Sequence, residues 1–173
     1  MCWAPEQFNK EETKMNAIKT AALAGVVALA ASITNPVHAA DDMLPMKTVE
    51  AAFDTVFQDL TDAVVNRGLV IDYTGQVDTM LSRTASEAGS GKSPYANARY
   101  MQFCSATLTH EAVAADASNI SMCPYLLFAY ETTAEPGKVV VGYRPPDLRG
   151  DDASKAVKQK VEKLLGEIIS EAA

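Results

Sequence analysis

The chain reads as an α+β protein, a single domain in which a small, mostly antiparallel sheet carries amphipathic helices packed on it. Three observations predict this. Two long segments repeat apolar residues at three- and four-residue steps, the period of a helix with one buried face. Short apolar runs bounded by turn residues lie between them, the mark of strands. The last two runs flank Ala134-Glu135-Pro136-Gly137, a hairpin connection with Pro-Gly at the central positions of a type II turn.

Taken in order, Val49, Ala52, Phe53, Val56, Phe57, Leu60 and Val64 form one stripe over about five turns. Thr48 is the expected N-cap of this first helix, and Asn66-Arg67-Gly68 ends it with a cation followed by a glycine suited to a left-handed cap. Leu69 to Tyr73 reads as a strand, closed by Thr74-Gly75. Val77, Met80, Leu81, Thr84, Ala85 and Ala88 make a weaker amphipathic helix, and Gly89 to Pro94 is a loop dense in breakers. Within that loop GSGKS is no phosphate loop, because the motif must open a helix and Pro94 follows at once.

The next stretch, Arg99 to Glu131, is the one around which the chain is organised. A strand ends in Cys104, a helix follows with His110, and a second strand opens at Met122-Cys123-Pro124. Tyr125 to Thr133 and Lys138 to Tyr143 are the hairpin strands, and Arg144-Pro145-Pro146 stops the second of them. Asp151-Asp152 opens a last helix whose stripe is Ala153, Val157, Val161, Leu164, Leu165, Ile168 and Ile169.

The N-terminal residues have a different character. Residues 1–14 carry three acids against two lysines, the wrong balance for the start of an export signal, and are expected to be a gene-model extension. From Met15 the pattern becomes that of a secretory signal peptide: Lys19, an apolar run from Ala21 to Ile33, a break at Asn35-Pro36, and Val37-His38-Ala39 as a cleavage site. The run is short of the ~20 residues that span a bilayer. Residues 15–39 are therefore expected to be removed, leaving 40–173 as the domain, in the periplasm or secreted, with no membrane association after cleavage.

That span holds twelve Lys+Arg and nineteen Asp+Glu, the same net −7 as the whole chain, with the acids spread along helices and turns. Without a concentrated cationic face, a nucleic-acid partner is not expected. An unknown small ligand or a periplasmic protein is the expected partner. A homodimer through an exposed sheet face is compatible with the pattern, and no feature requires it.

Cys104, Cys123 and His110 carry the candidate chemistry. Two cysteines in an oxidising compartment point to a disulfide. Cys104 also precedes a helix, where backbone N–H groups and the dipole stabilise a thiolate, which suits redox chemistry or a soft metal. The third role is a buried inert thiol. Bridging requires Cα atoms within ~7 Å. Parallel strands would put the two cysteines at opposite edges unless the six residues Ser118 to Cys123 climb back, whereas antiparallel strands remove the difficulty.

His110 lies six residues past Cys104, so the two do not share a helix face cleanly. Cys104, His110 and Cys123 are the candidate metal ligands, for copper, zinc or haem. Met101 and Met122 add soft donors that suit Cu(I). Cys104, Met122, Cys123 and Tyr125 are the candidate ligand-binding residues. By strand alternation Met101 and Phe103 share one face and Tyr100 and Gln102 the other, and Tyr125 and Tyr143 are candidates to line a pocket. Glu111, Asp116 and Glu131 have no paired-carboxylate spacing, and one histidine builds no nucleophilic triad, so the sequence points away from an enzyme.

From about Thr48 to Tyr143 the chain resembles the family called domain of unknown function 302. The segments that carry the likeness are NRGLVI, YMQFCSATLTHEAV, AADASNISMCPYLLFAYE and GKVVVGYRPPD. The resemblance implies a compact α+β fold and carries over no catalytic residue. This chain has Cys104-Ser105-Ala106 where members commonly place a glycine or cysteine before Asn-Pro. Many members also put a cysteine after the proline that here is followed by Tyr125. Cys104 thus stands at a family cysteine position and Cys123 is displaced. The reading that follows is a periplasmic binding or accessory module, with a thiol-redox or soft-metal protein as its alternative.

Overall fold

A computed structural model describes residues 44–89 and 91–173. The expected leader at 15–39 and the extension at 1–14 lie outside the described residues. The elements run β1 (Met46–Glu50), α1 (Phe53–Val65), β2 (Val70–Gln76), α2 (Val77–Ala88), β3 (Tyr95–Cys104), α3 (Ala106–Ala115), a 3-10 turn (Ala117–Met122), β4 (Tyr125–Thr132), β5 (Lys138–Tyr143) and α4 (Asp152–Glu171). The five strands form one sheet in the order β1-β5-β4-β3-β2, with every neighbouring pair antiparallel.

Alternation along the strands gives the sheet two unlike faces. Met101, Phe103, Leu127, Ala129, Val139, Val141 and Tyr143 point to one face and are buried there. Phe53, Val56, Leu60, Ala63 and Val64 of α1, with Val161, Leu165, Ile168 and Ile169 of α4, cover them in a single cluster. Of the stripes expected for the two helices, Phe53, Val56, Leu60 and Val64 and Val161, Leu165, Ile168 and Ile169 make this core, whereas Val49 falls in β1 and Ala52 and Ala153 are exposed. Arg67 joins the helix ends, its Nη1 donating to Ala63 O at 2.7 Å and pairing with Glu171 at 2.6 Å. Gly68 follows at φ 71°, the left-handed cap expected of it.

Arg99 closes the rim of the core. Its guanidinium lies 5.0 Å from the Phe53 ring and 5.5 Å from that of Phe57, and pairs with Asp54 at 2.9 Å. The hairpin turn is as expected: Gly137 has φ 81° and Lys138 N donates to Glu135 O at 3.3 Å. Glu131 secures it, accepting from Gly137 N and from Asn97 Nδ2, both at 2.7 Å.

Two expectations are corrected. Thr74-Gly75 closes no strand, because β2 runs through both residues to Gln76, paired with β3, and α2 follows at once. Thr48 caps no helix, because Met46–Glu50 form a strand and α1 starts at Phe53 after Ala52. The partner of that strand is β5, with Thr48 opposite Val140, so tertiary pairing decides its conformation. The strand ending at Cys104 also starts earlier than Arg99, at Tyr95.

The second face carries aromatic side chains on glycines. Met46, Gly142, Phe128, Tyr100 and Gly75 are successive cross-strand partners in one row across the sheet. Tyr100 lies over Gly75, and Phe128 over Gly142. A Cβ on Gly142 would stand 2.6 Å from Phe128 Cζ and 2.9 Å from the Pro45 carbonyl oxygen, which is backbone and does not yield. Gly142→Ala should therefore destabilise the domain by about 1–3 kcal/mol, read as a lower urea midpoint at unchanged m-value. At Gly75 only the Tyr100 ring stands in the way, so Gly75→Ala should shift the midpoint less.

Candidate functional site

Between β3 and β4 the chain leaves the sheet, forms α3 and the 3-10 turn, and returns to the same sheet end. Each step has a local cause. Ser105 caps α3, its hydroxyl accepting from Leu108 N at 3.3 Å. Asp116 ends that helix in extended backbone and caps the 3-10 turn, accepting from Ser118 N at 2.7 Å. Asn119, 5% exposed, ties the turn to the body: its Nδ2 donates to Ala112 O at 3.0 Å and to Ser154 Oγ of α4 at 2.9 Å. Lys160 of α4 pairs with Glu111 of α3 at 2.6 Å.

The return brings Phe103 opposite Tyr125, and Cys104 and Cys123 meet one step beyond. Their Cα atoms are 5.6 Å apart and the sulfurs form a disulfide. The strand direction that the sequence left open is thus antiparallel. The Cys123–Pro124 peptide that leads into β4 is cis.

The bridge lies on the wall of a cleft of about 480 Å³ between β2 and α3. Leu69, Val70, Val113 and Ile120 supply its apolar surface, and Asp72, Thr109 and His110 its polar groups. Val70 and Ile120 are 72% and 57% exposed, large side chains left in water at the mouth. Three of the candidate residues, Cys104, His110 and Cys123, therefore share one cavity. Their sulfurs are joined to each other, so thiolate ligation of a metal requires reduction first. No group of three or more His, Cys, Asp or Glu side chains stands ready for a metal among the described residues.

Met122 and Tyr125 do not belong to this cleft. They line a second one, of about 340 Å³, on the far side of the returning segment, with Arg144, Lys158, Val161 and Leu165. Met101 is fully buried in the core and is no soft donor to either cleft. Tyr125 and Tyr143 are also core-facing, 4% and 5% exposed, and the tyrosines of the open face are Tyr73, Tyr95, Tyr100 and Tyr130. Tyr125 packs edge-on against Phe103 with ring centres 5.7 Å apart. Burial pushes its phenol above the ordinary range, opposed by the Thr109 hydroxyl and the Ser105 backbone close by. The Tyr125 and Thr109 hydroxyls are buried without a hydrogen-bond partner among the described residues.

Sequence reasoning missed the second cleft. Its signal was Arg144-Pro145-Pro146-Asp147, two prolines between opposite charges, together with a lysine beside the apolar stripe of α4.

The described residues define an α+β domain with a five-stranded antiparallel sheet, α1 and α4 on one face, and a disulfide-pinned excursion at one end. That fold is the fold of a DUF302 protein. The chain is similar to the crystal structure of an uncharacterized conserved DUF302 protein from Bacillus stearothermophilus, with a TM-score of 0.61 and 16% identity. The likeness covers 76% of this chain and 100% of that one, so the family resemblance seen in the motifs is met at the level of fold. No family model matches the chain, and no curated protein matches it.

The bridge closes a loop with a sequence separation of 19 residues. Peptide mapping of the full chain, alkylated under denaturing conditions, should find Cys104 and Cys123 unmodified before reduction and both modified after it. The double change Cys104→Ser, Cys123→Ser should lower unfolding stability by about 3 kcal/mol under the chain-entropy model, read by urea titration.

Proposed function

We propose that the protein is a periplasmic binding or accessory module whose ligand or protein partner is met in the cleft beside the Cys104–Cys123 bridge. One observation carries this reading: Cys104, Cys123 and His110 converge on one cavity whose mouth exposes Val70 and Ile120. A concave, mostly apolar site with a few polar groups is the usual form of a small-ligand site. Its volume, about 480 Å³, is within the ordinary range for such sites.

The test uses full-length protein expressed with its own leader and recovered from the periplasm. Native mass spectrometry should show a stoichiometric co-purifying mass that is absent from Val113→Trp, a change that fills the cleft. N-terminal sequencing should begin at Ala40. Protein retained in the cytoplasm, or a bound mass that survives the filled cleft, would overturn the reading.

A second reading rests on a different observation, the place of Cys104 directly before the Ser105 cap of α3. A thiolate there is stabilised by the helix start, and the bridge is reached through the cleft. In this reading the disulfide takes two electrons and two protons from a partner dithiol, which becomes a disulfide. The resulting thiols, with His110, are the set for copper, zinc or haem. Equilibration with dithiothreitol buffers separates the two readings. A midpoint above about −300 mV supports redox exchange, and one below it leaves the bridge structural.

A further inference from the structure

The second cleft lies between the start of β4, the segment after β5, and α4, and shares no lining residue with the bridge cleft. Met122, Pro124, Val161 and Leu165 give it an apolar floor, and Arg144 and Lys158 bring two cations to it against the one carboxylate of Asp147. Lys158 is only 9% exposed. A lysine so far out of water needs its charge met, because an isolated buried ammonium is heavily penalised.

Its contacts meet that need only in part. Nζ donates to Arg149 O at 2.5 Å. An ammonium has three donors, and this is its one hydrogen bond among the described residues, with no carboxylate oxygen there within the 4.0 Å of an ion pair.

The carboxylates whose charge reaches Lys158 are Asp116, Asp147 and Asp151, and each is engaged elsewhere. Asp116 holds the 3-10 turn through Ser118. Asp151 caps α4 by accepting from Ser154 N at 2.7 Å. Asp147 accepts from Arg149 Nε at 2.7 Å and from Arg149 N at 3.0 Å, bonds that pull its carboxyl down to about 2. Across the cleft, the exposed Arg144 donates Nη2 to Pro124 O at 3.2 Å, and its fork has further donors.

We propose that this cleft binds a small organic monocarboxylate, its apolar body against Met122, Val161 and Leu165 and its carboxylate between Lys158 and Arg144. The charge of the surroundings selects the class. One carboxylate matches the donors left by Lys158 and Arg144. A dianion such as phosphate would meet the added repulsion of Asp116, Asp147, Asp151 and a chain of net charge −7.

The test is a titration of the full-length protein, followed by ¹H–¹⁵N correlation spectra, with benzoate as the probe. Benzamide is the neutral isostere and inorganic phosphate the dianion. Saturable shifts should appear at the amides of Tyr125, Arg144 and Val161, with a millimolar Kd, and not at His110 or Val113. Arg144→Gln and Lys158→Met should each weaken benzoate binding by about tenfold or more, the scale of a charge-assisted hydrogen bond. Lys158→Arg should retain it.

Equal binding of benzamide, tighter binding of phosphate, unchanged affinity in both variants, or no saturable shifts would overturn the proposal. Should Lys158→Met lose its dispersed spectrum, the exposed Arg144→Gln decides alone. Shifts confined to the bridge cleft would also overturn this site while leaving the proposed function standing.

Discussion

The centre of the structure is the antiparallel pairing of β3 with β4, and everything else follows from how the chain comes back to make it. Phe103 opposite Tyr125 and Met101 opposite Leu127 bury four large side chains on one face of the sheet. These contacts form only if the chain, after leaving at Cys104, returns to the same end of the sheet. A helix alone would carry it about 15 Å away over ten residues. The 3-10 turn brings it back, and the polar groups Ser105, Asp116 and Asn119 make that reversal possible by satisfying backbone where regular structure stops.

That geometry also creates the two clefts. A segment re-entering a sheet next to a helical excursion leaves a hollow on each side, one toward β2 and α3, the other toward α4 and the residues after β5. The hollows differ chemically because their neighbours differ. The first has a disulfide, a histidine and exposed aliphatic side chains. The second has an apolar floor under a buried lysine and an exposed arginine. Neither depends on the aromatic side of the sheet, where Tyr100 and Phe128 lie over glycines.

Much of the scaffold is legible in the sequence, for a physical reason. The stripes of α1 and α4 and the Pro136-Gly137 turn are local patterns whose period or backbone requirement identifies them without knowledge of a partner. β1 is not of this kind. Thr48 is an acceptable cap by itself, and only pairing with β5, some ninety residues away, makes it a strand residue. The site was legible in half. Alternation correctly separates Met101 from Tyr100, but it holds only inside a strand. Met122, Cys123 and Pro124 precede β4, so nothing in the pattern tells that Cys123 faces one cleft and Met122 the other. Lys158 is equally silent, since a lysine beside an apolar stripe ordinarily reaches water.

The excursion is attached at two places, and the division of labour between them bears on what the bridge is for. Its base is held by Cys104–Cys123. Its far part is held to α4 by the Asn119 side chain on Ser154 and by the Glu111–Lys160 pair. The disulfide constrains the unfolded chain more than it shapes the folded one, whereas the buried amide of Asn119 acts in the folded state, where leaving it unpaired carries the full desolvation penalty. The core pairs of β3 and β4 and the ties to α4 are made without the sulfurs, so the bridge is one of two attachments of the excursion and the other does not depend on it. A bridge with this independent second attachment is compatible with a permanent role and with a cycled one, so the reduction midpoint, rather than the presence of the bond, separates the two.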